Sequence, residues 1–462
     1  MGLTLPLLRE KNSVKKAVVI GGSLSGCLVA QVLSAHFSEV VILEKDQFDA
    51  TTAPRKGVPQ EHHLHLVLKQ GMDIIESIFP GITHALNAEG GVPLNLGRDL
   101  RWFQGGEWKV PYLSGLSSMV FSRSLLDKTL RQRILSNPRV TVSRHTRVSG
   151  LICNGTRVEG VTLSREGVDE TLRCELVVDC SGFGTKTPQW LKANGLGDVQ
   201  ISTLKKHTHY SSQLYRSTGA VDRKAVMIWD QGSNKYDVGL MFPIEKNTWL
   251  ISAAGCFESN PTHDVTAYKA FISALTQPDI SDFIAQAVPV SELSSFKFGG
   301  STWRHYEKMS HFPDGLLVVG AAFCNLNPFF AQGLTMCASH VKVLREHLTQ
   351  GLPARTLQKK LARVSRMPWD MAEIEDLRHS RVEGKRTLFK RFMMAYVGMF
   401  YTLSNHNMFA RELQLKVMHQ VASPYALFHP SIVMRIAGMA CSSAWRAKSS
   451  VRRASSHDTP PY

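Results

Sequence analysis

The stretch AVVIGGSLSGCLVAQVLSAHFSEVVILEKD, Ala17 to Asp46, constrains the fold more than any other part of the chain. An apolar run of strand length, Ala17 to Ile20, meets Gly21 and Gly22. A helical stretch from Leu24 to Ala35 ends near Phe37, and a second apolar run, Val40 to Leu43, delivers Glu44. Strand, glycine turn, helix and strand in this order predict a βαβ unit of the dinucleotide-binding kind. In such a unit the glycines let the backbone approach a pyrophosphate, and the helix N-terminus offers it unpaired N–H groups.

Gly21, Ser23 and Gly26 occupy the places of G-x-G-x-x-G, with serine in the middle position. Serine is small, and its hydroxyl can itself bond a phosphate. Glu44, eighteen residues beyond Gly26, can accept from both hydroxyls of an adenosine ribose. That favours an unphosphorylated ribose, as in FAD or NAD, over NADP. A generic βαβ turn is the plain alternative; the flanking strand, helix and acid favour the dinucleotide.

At 462 residues the chain is expected to form two or three domains. No run of eighteen or more apolar residues occurs, and the short apolar stretch at the N-terminus lacks the pattern of a secretory signal, so a cytosolic location is expected. The eight cysteines include no CxxC pair, which fits reduced, buried thiols better than disulfides or zinc. The net charge of +16 is uneven: from Gly351 onward 18 Lys and Arg stand against 7 Asp and Glu, a balance of +11. No nucleic-acid module accompanies this charge, so no nucleic-acid partner is expected, and a basic helical surface able to lie on an anionic membrane fits better.

Beyond the first unit, Arg55 to His65 breaks at Gly57 and Pro59 and enters a helical pattern up to about Phe79. His62, His63 and His65 lack a carboxylate or cysteine at helical spacing, so they are expected as polar loop residues near a cofactor, with no metal site. Gly81 to Val110 reads as short strands. Ser122 is a candidate N-cap for a helix over Ser124 to Leu135, where Arg123 either holds a phosphate or is an ordinary surface arginine. Asn154-Gly155 reads as a hairpin turn. Leu176 to Asp179 is a buried strand followed by Cys180-Ser181-Gly182-Phe183-Gly184-Thr185. Ile201 to Gly255 alternates in places, as a half-buried antiparallel sheet would, and its aromatics can wall an apolar pocket. Leu316 to Val319 is a last core strand before a small-residue turn and a helix running through Arg345. Residues from Ala354 to about Ala444 are helical by pattern, and the tail from Ser449 reads as disordered.

These pieces, in this order, resemble the FAD-dependent monooxygenases of the p-hydroxybenzoate hydroxylase superfamily, and within it the branch of flavin-dependent polyether epoxidases. Arg55, Gly57, Val58, Pro59, Gln60, His63 and His65 match its RxGVPQxxHxH motif, and Arg123 matches an FAD-contacting arginine. Asp179, Ser181, Gly182, Gly184 and Thr185 follow DxTGRGS with Phe183 in place of arginine. Asn327, Pro328, Gln332 and Gly333 match GDAxxxxNPxxGQG, but Ala321 stands where the family has its aspartate, and Ala331 replaces a glycine.

The resemblance implies an α/β fold: a Rossmann-like FAD-binding domain (1–80, 121–195 and 303–350), an interleaved antiparallel-sheet substrate domain (81–120 and 196–302), a helical C-terminal region (351–445) and a tail (446–462). It implies FAD as cofactor, NAD(P)H as transient reductant, and oxygen transfer to a small apolar substrate through a flavin C4a-hydroperoxide. The expected cofactor contacts are Gly21, Gly22, Ser23, Ser25, Gly26, Glu44, Lys45, Arg55, Gln60, Arg123, Asp179, Gly182, Gly320, Ala321, Gln332 and Gly333. Gln60, Gln332 and Gly333 are the catalytic candidates, the last two through amides at a helix N-terminus; Tyr210, Tyr215, Trp229 and Phe329 are the expected substrate pocket. Rival readings are a reductase of isoprenoid double bonds, a halogenase, weakened by the absence of WxWxIP, and a flavoprotein without catalysis. The stretch Arg391 to Tyr401 is expected either to pack on the FAD domain or to touch a membrane.

Overall fold

The computed structural model describes residues 15–50, 59–219, 222, 224–231, 236–261 and 264–441. Strand β1 (Lys16–Ile20), helix α1 (Leu24–Leu33) and strand β2 (Glu39–Leu43) form the expected unit, with β1 and β2 paired in parallel. Ala17, Val18, Val19, Val40 and Ile42 are fully enclosed, because a parallel sheet covered by helices on both faces has no wet side. Helix α2 (Lys69–Ile78) is shorter than the pattern suggested; residues 63–68 ahead of it are not helical. The segment Gly81 to Val110 also holds a helix, Ile82–Ala88, before strand β3 (Leu100–Gln104).

Helix α3 (Arg123–Leu135) begins where Ser122 accepts from the Leu125 N–H, so the expected N-cap is present. Strand β4 (Val140–Ser143) returns to the parallel sheet. An antiparallel pair, Thr146–Asn154 with Arg157–Arg165, then turns at Gly155, whose φ of 55° suits the Asn-Gly hairpin. Strand β5 (Leu176–Asp179) re-enters the core. After strands β6 (Thr208–Ser217), β7 (Ala225–Gln231), β8 (Tyr236–Ile244) and β9 (Thr248–Cys256), strand β10 (Leu316–Val318) completes the parallel sheet in the order β10-β5-β1-β2-β4. Its register aligns Ile20 with Leu43 and Asp179, and Asp179 with Val318. One row across the sheet therefore gathers the ends of four strands far apart in sequence, and the turns that follow them share its carboxyl edge.

The second sheet runs β6-β9-β8-β7-β3 with shorter strands at its edges. It differs from the expected half-buried antiparallel sheet in two ways. The pair β7 with β3 is parallel, and every residue of β9 is buried. Helices cover one face of this sheet, and the C-terminal region covers much of the other.

That region consists of α4 (Gly333–Gln350), which still belongs to the first domain, then α5 (Ala354–Asp376), α6 (Leu388–His406), α7 (Met408–Met418) and a helix over residues 430–441. Contrary to the expectation that α6 packs on the FAD domain, it docks on the second sheet. Lys109 Nζ, beside β3, donates to Ser404 Oγ at 2.7 Å and Asn405 Oδ1 at 3.0 Å on α6. Arg411 of α7 donates to the Leu100 carbonyl at 2.8 Å, and Lys206 pairs with Asp376 of α5 at 3.0 Å in full burial. Buried side-chain nitrogens reach across these gaps because each unmet donor or charge would be costly, so the polar ties fix where the helices sit. Among the described residues no helix is long and apolar enough to cross a membrane.

Candidate functional site

At the carboxyl edge the chain leaves β1 through Gly21, whose φ of 94° suits glycine and whose N–H donates to the Leu43 carbonyl at 2.9 Å. A Cβ on Gly26 would lie 1.9 Å from the Gly21 carbonyl oxygen, so α1 can approach the turn this closely only without a side chain there. Glu44 is buried; its Oε2 accepts from the Gly22 N–H at 2.7 Å and its Oε1 from the Asp46 N–H at 3.0 Å. Ser23 is the N-cap of α1 but its side chain makes no cap bond; instead Arg123 Nη2 donates to Ser23 Oγ at 2.9 Å. Arg123 is buried and paired with Asp127 at 2.9 Å, so it is no ordinary surface arginine. Ser25 is buried in α1, and Lys45 is exposed at the rim.

The turns after β5 and β10 complete the cradle. Asp179 is fully buried, and its Oδ1 accepts from the N–H and hydroxyl of Ser181 at 2.8 and 2.6 Å; its Oδ2 accepts from Thr187 Oγ1 at 2.6 Å and from the Thr185 hydroxyl. Four bonds use the acceptor capacity of a carboxylate. The expected role of Asp179 as a cofactor contact is thereby corrected: it shapes the loop that carries Gly182. Gly320, at φ 65°, presses on α1, for a Cβ would lie 2.5 Å from Ser25 Oγ.

Two residues that no sequence motif marks hold these turns. Arg304 donates to the carbonyls of Ala321 at 3.3 Å and Phe183 at 2.6 Å, stapling the two turns that lack the expected aspartate and arginine. His340 is fully buried, and its Nδ1 accepts from the Gly320 N–H at 3.0 Å, which leaves its proton on Nε2, facing Ser365 Oγ at 2.8 Å. Burial lowers its pKa to about 3. Neither stands out in sequence, because a strand arginine and a helix histidine carry no local pattern.

Next to the cradle lies a cavity of about 230 Å³ whose walls are almost wholly apolar. It runs from the turn Pro328–Gln332 between the second sheet and helices α5, α6 and α7. Tyr210, Trp229 and Phe329 line it; the Phe329 ring lies 5.1 Å from Trp229 and 4.8 Å from Tyr236. Tyr210 donates to Asn327 Oδ1, which also accepts from the Phe329 N–H at 3.1 Å, so the tyrosine fixes the turn. His63 forms part of the wall, its Nδ1 2.8 Å from Ser212 Oγ and its Nε2 without a partner among the described residues. Burial, followed by the charges of His65 and His62, lowers it to about 3, so it is neutral near pH 7. The expectation for Tyr215 fails. Five positions from Tyr210 on β6, it points to the opposite face, where it packs with Trp249 and Tyr268 away from the cavity.

The pattern of a family described as an FAD binding domain matches residues 15–355. The chain belongs to this FAD-binding family. It is 29% identical over 388 residues, 80% of this chain and 81% of the other, to Protein Rv3254 of Mycobacterium tuberculosis. In fold it is similar to the flavin-dependent brominase Bmp2 (TM-score 0.65, 16% identity, 93% of this chain and 99% of that one). It is also similar to PqsL of P. aeruginosa in complex with 2-aminobenzoylacetate (TM-score 0.59, 16% identity, 78% and 93%).

The cradle fits FAD. Gly182 and Gly333 have open space where a Cβ would project, and Gln332, buried at the N-terminus of α4, has an Oε1 without a partner among the described residues. Gly21, Gly22, Ser23, Ser25, Gly26, Glu44 and Arg123 come together at one edge, where Gly320 packs against Ser25 and Arg304 ties the turn of Ala321 to the turn after Gly182. Arg55 and the side chain of Gln60 lie outside the described residues, as does the tail expected to be disordered. Of the three histidines, His65 turns its Nδ1 to the His63 carbonyl at 2.9 Å, so the set does not converge.

Proposed function

We propose that the protein is a flavin-dependent monooxygenase that inserts one oxygen atom from O₂ into a small, apolar, electron-rich molecule, by hydroxylation or epoxidation, with NAD(P)H as transient reductant. The observation that carries this reading is the position of α4. It begins at the cavity wall with Gln332, and one turn later its Cys337 sulfur lies 3.1 Å from where a Gly320 Cβ would be, so one helix joins the FAD cradle to the cavity.

Bound FAD supplies the activation of O₂ and the oxygen atom to be transferred. The chain's own part is binding, orientation and exclusion of water. Glu44 would hold the ribose hydroxyls and Arg123, beside Ser23, the phosphates. The N–H groups at the start of α4, with Gln332 and Gly333, favour negative charge on a reduced cofactor. Trp229, Phe329 and Tyr210 hold the substrate in a dry cavity. An uncharged substrate is favoured because His63 is neutral and the acid on the wall, Glu375, is already met by Arg378 at 3.8 Å and by the Tyr401 hydroxyl at 2.7 Å. PqsL holds a small organic molecule, which supports the same class of ligand here. Bmp2 is a brominase, but the WxWxIP motif shared by halogenases is absent from this sequence.

The test is NAD(P)H consumption and O₂ uptake by the FAD-loaded protein, with and without candidate substrates identified by mass spectrometry of co-purified molecules. Oxygen uptake matched by an oxygenated product supports the proposal. A saturated product without oxygen uptake indicates a double-bond reductase, and a protein inert in both readouts with FAD bound is non-catalytic.

A further inference from the structure

The first turns of α6 leave a large apolar surface uncovered: Leu388 is 85% exposed, Phe389 67% and Phe392 58%. Soluble proteins seldom expose neighbouring large side chains in this way without a partner. Leu388, Phe392 and Ala395 stand at i, i+4 and i+7, so they share one exposed face. Basic residues frame it. Lys385 and Arg391 are exposed on the same segment, next to a single exposed acid, Glu383, whereas Lys390 is taken up by Glu373 at 2.7 Å.

This face is continuous with the cavity. Phe392 stacks on Tyr396 at 6.1 Å, and Tyr396, with Met393, Val397 and Phe400 of the same helix, lines the cavity wall. Tyr396 in turn stacks on Phe428, another wall residue, at 4.7 Å. An apolar path thus leads along one helix from the outside to the cavity interior. Exposed leucine and phenylalanine next to Lys and Arg, on a helix too polar to span a bilayer, is the chemistry that sits in a membrane interface.

We propose that the start of α6 docks the protein on an anionic lipid surface. The gain for function rests on the proposed monooxygenase reading: a substrate dissolved in lipid would meet the cavity through an apolar entrance. The partner is a bilayer and not a second copy of the chain, because the exposed charges flanking it, Lys385 and Arg391 against Glu383, are net positive and would repel across a two-fold contact.

The experiment is co-sedimentation of the FAD-loaded full chain with vesicles of phosphatidylcholine alone or mixed with phosphatidylserine, at low and high salt. Binding to the anionic vesicles that fades with salt is expected. Both Leu388→Ser/Phe392→Ser and Lys385→Glu/Arg391→Glu should weaken it by at least about tenfold, with FAD content by absorbance unchanged. A protein that stays in the supernatant at low salt overturns the proposal. So does a dimer in solution that Leu388→Ser/Phe392→Ser dissociates, or vesicle binding unaffected by either pair. Vesicle binding by a protein that holds FAD but shows no oxygen uptake leaves the docking standing and removes the monooxygenase reading alone.

Discussion

Replacing His340 by glutamine should flatten the acid sensitivity of the protein. The buried ring is neutral, with its pKa lowered to about 3 from an ordinary 6.5 by burial. Because the folded-state value is depressed, the stability it confers is present above 6.5 and is lost as pH falls toward 3. At about pH 5 the unfolded chain binds a proton at this site and the folded chain does not, which costs the folded state about 2 kcal/mol relative to about pH 7.5. His63 and His419, lowered by burial to about 3 and about 4, add similar amounts. Protonation of His340 would also remove the acceptor for the Gly320 N–H, so the turn that borders the FAD cradle should loosen with it. Urea unfolding at the two pH values, with FAD held constant, measures the slope. His340→Gln keeps an acceptor but does not titrate, so it should lose about 2 kcal/mol less than the natural protein on acidification. An identical pH slope in the two proteins would refute the reasoning.

Two further outcomes follow from the cradle. Gly26→Ala places a Cβ 1.9 Å from the Gly21 carbonyl and should abolish FAD retention and lower the unfolding midpoint of the FAD-free protein, whereas Gly333→Ala, which meets nothing in the protein, should leave that midpoint unchanged and weaken FAD alone; equal FAD-free midpoints for both variants would contradict this. Ala321→Asp restores a carboxylate beside Arg304 and should tighten FAD by about fivefold to a hundredfold, since a buried hydrogen bond is worth roughly 1 to 3 kcal/mol; equal or weaker affinity in a fluorescence titration would show that the turn has been rebuilt around alanine.

The sequence by itself determined the parts of this protein whose cause is local. Gly21, Gly26 and Glu44 are legible because a strand, a tight turn, a helix and a second strand follow one another within thirty residues, and each leaves its own periodicity. The caps and turns at Ser122 and Asn154-Gly155 are legible for the same reason. What only the tertiary structure decided depends on pairing across long distances. Strand register brings the turns after Ile20, Leu43, Asp179 and Val318 to one edge, and nothing in any single strand states that register. The face taken by Tyr210 against Tyr215 follows from a parity of two that a list of aromatics does not convey. Arg304 and His340 act through backbone groups of distant turns. The C-terminal helices are legible as helices, but the surface they pack on is not, because an apolar stripe says that a face is buried and not what buries it; the buried ties of Lys109, Lys206 and Arg411 made that choice.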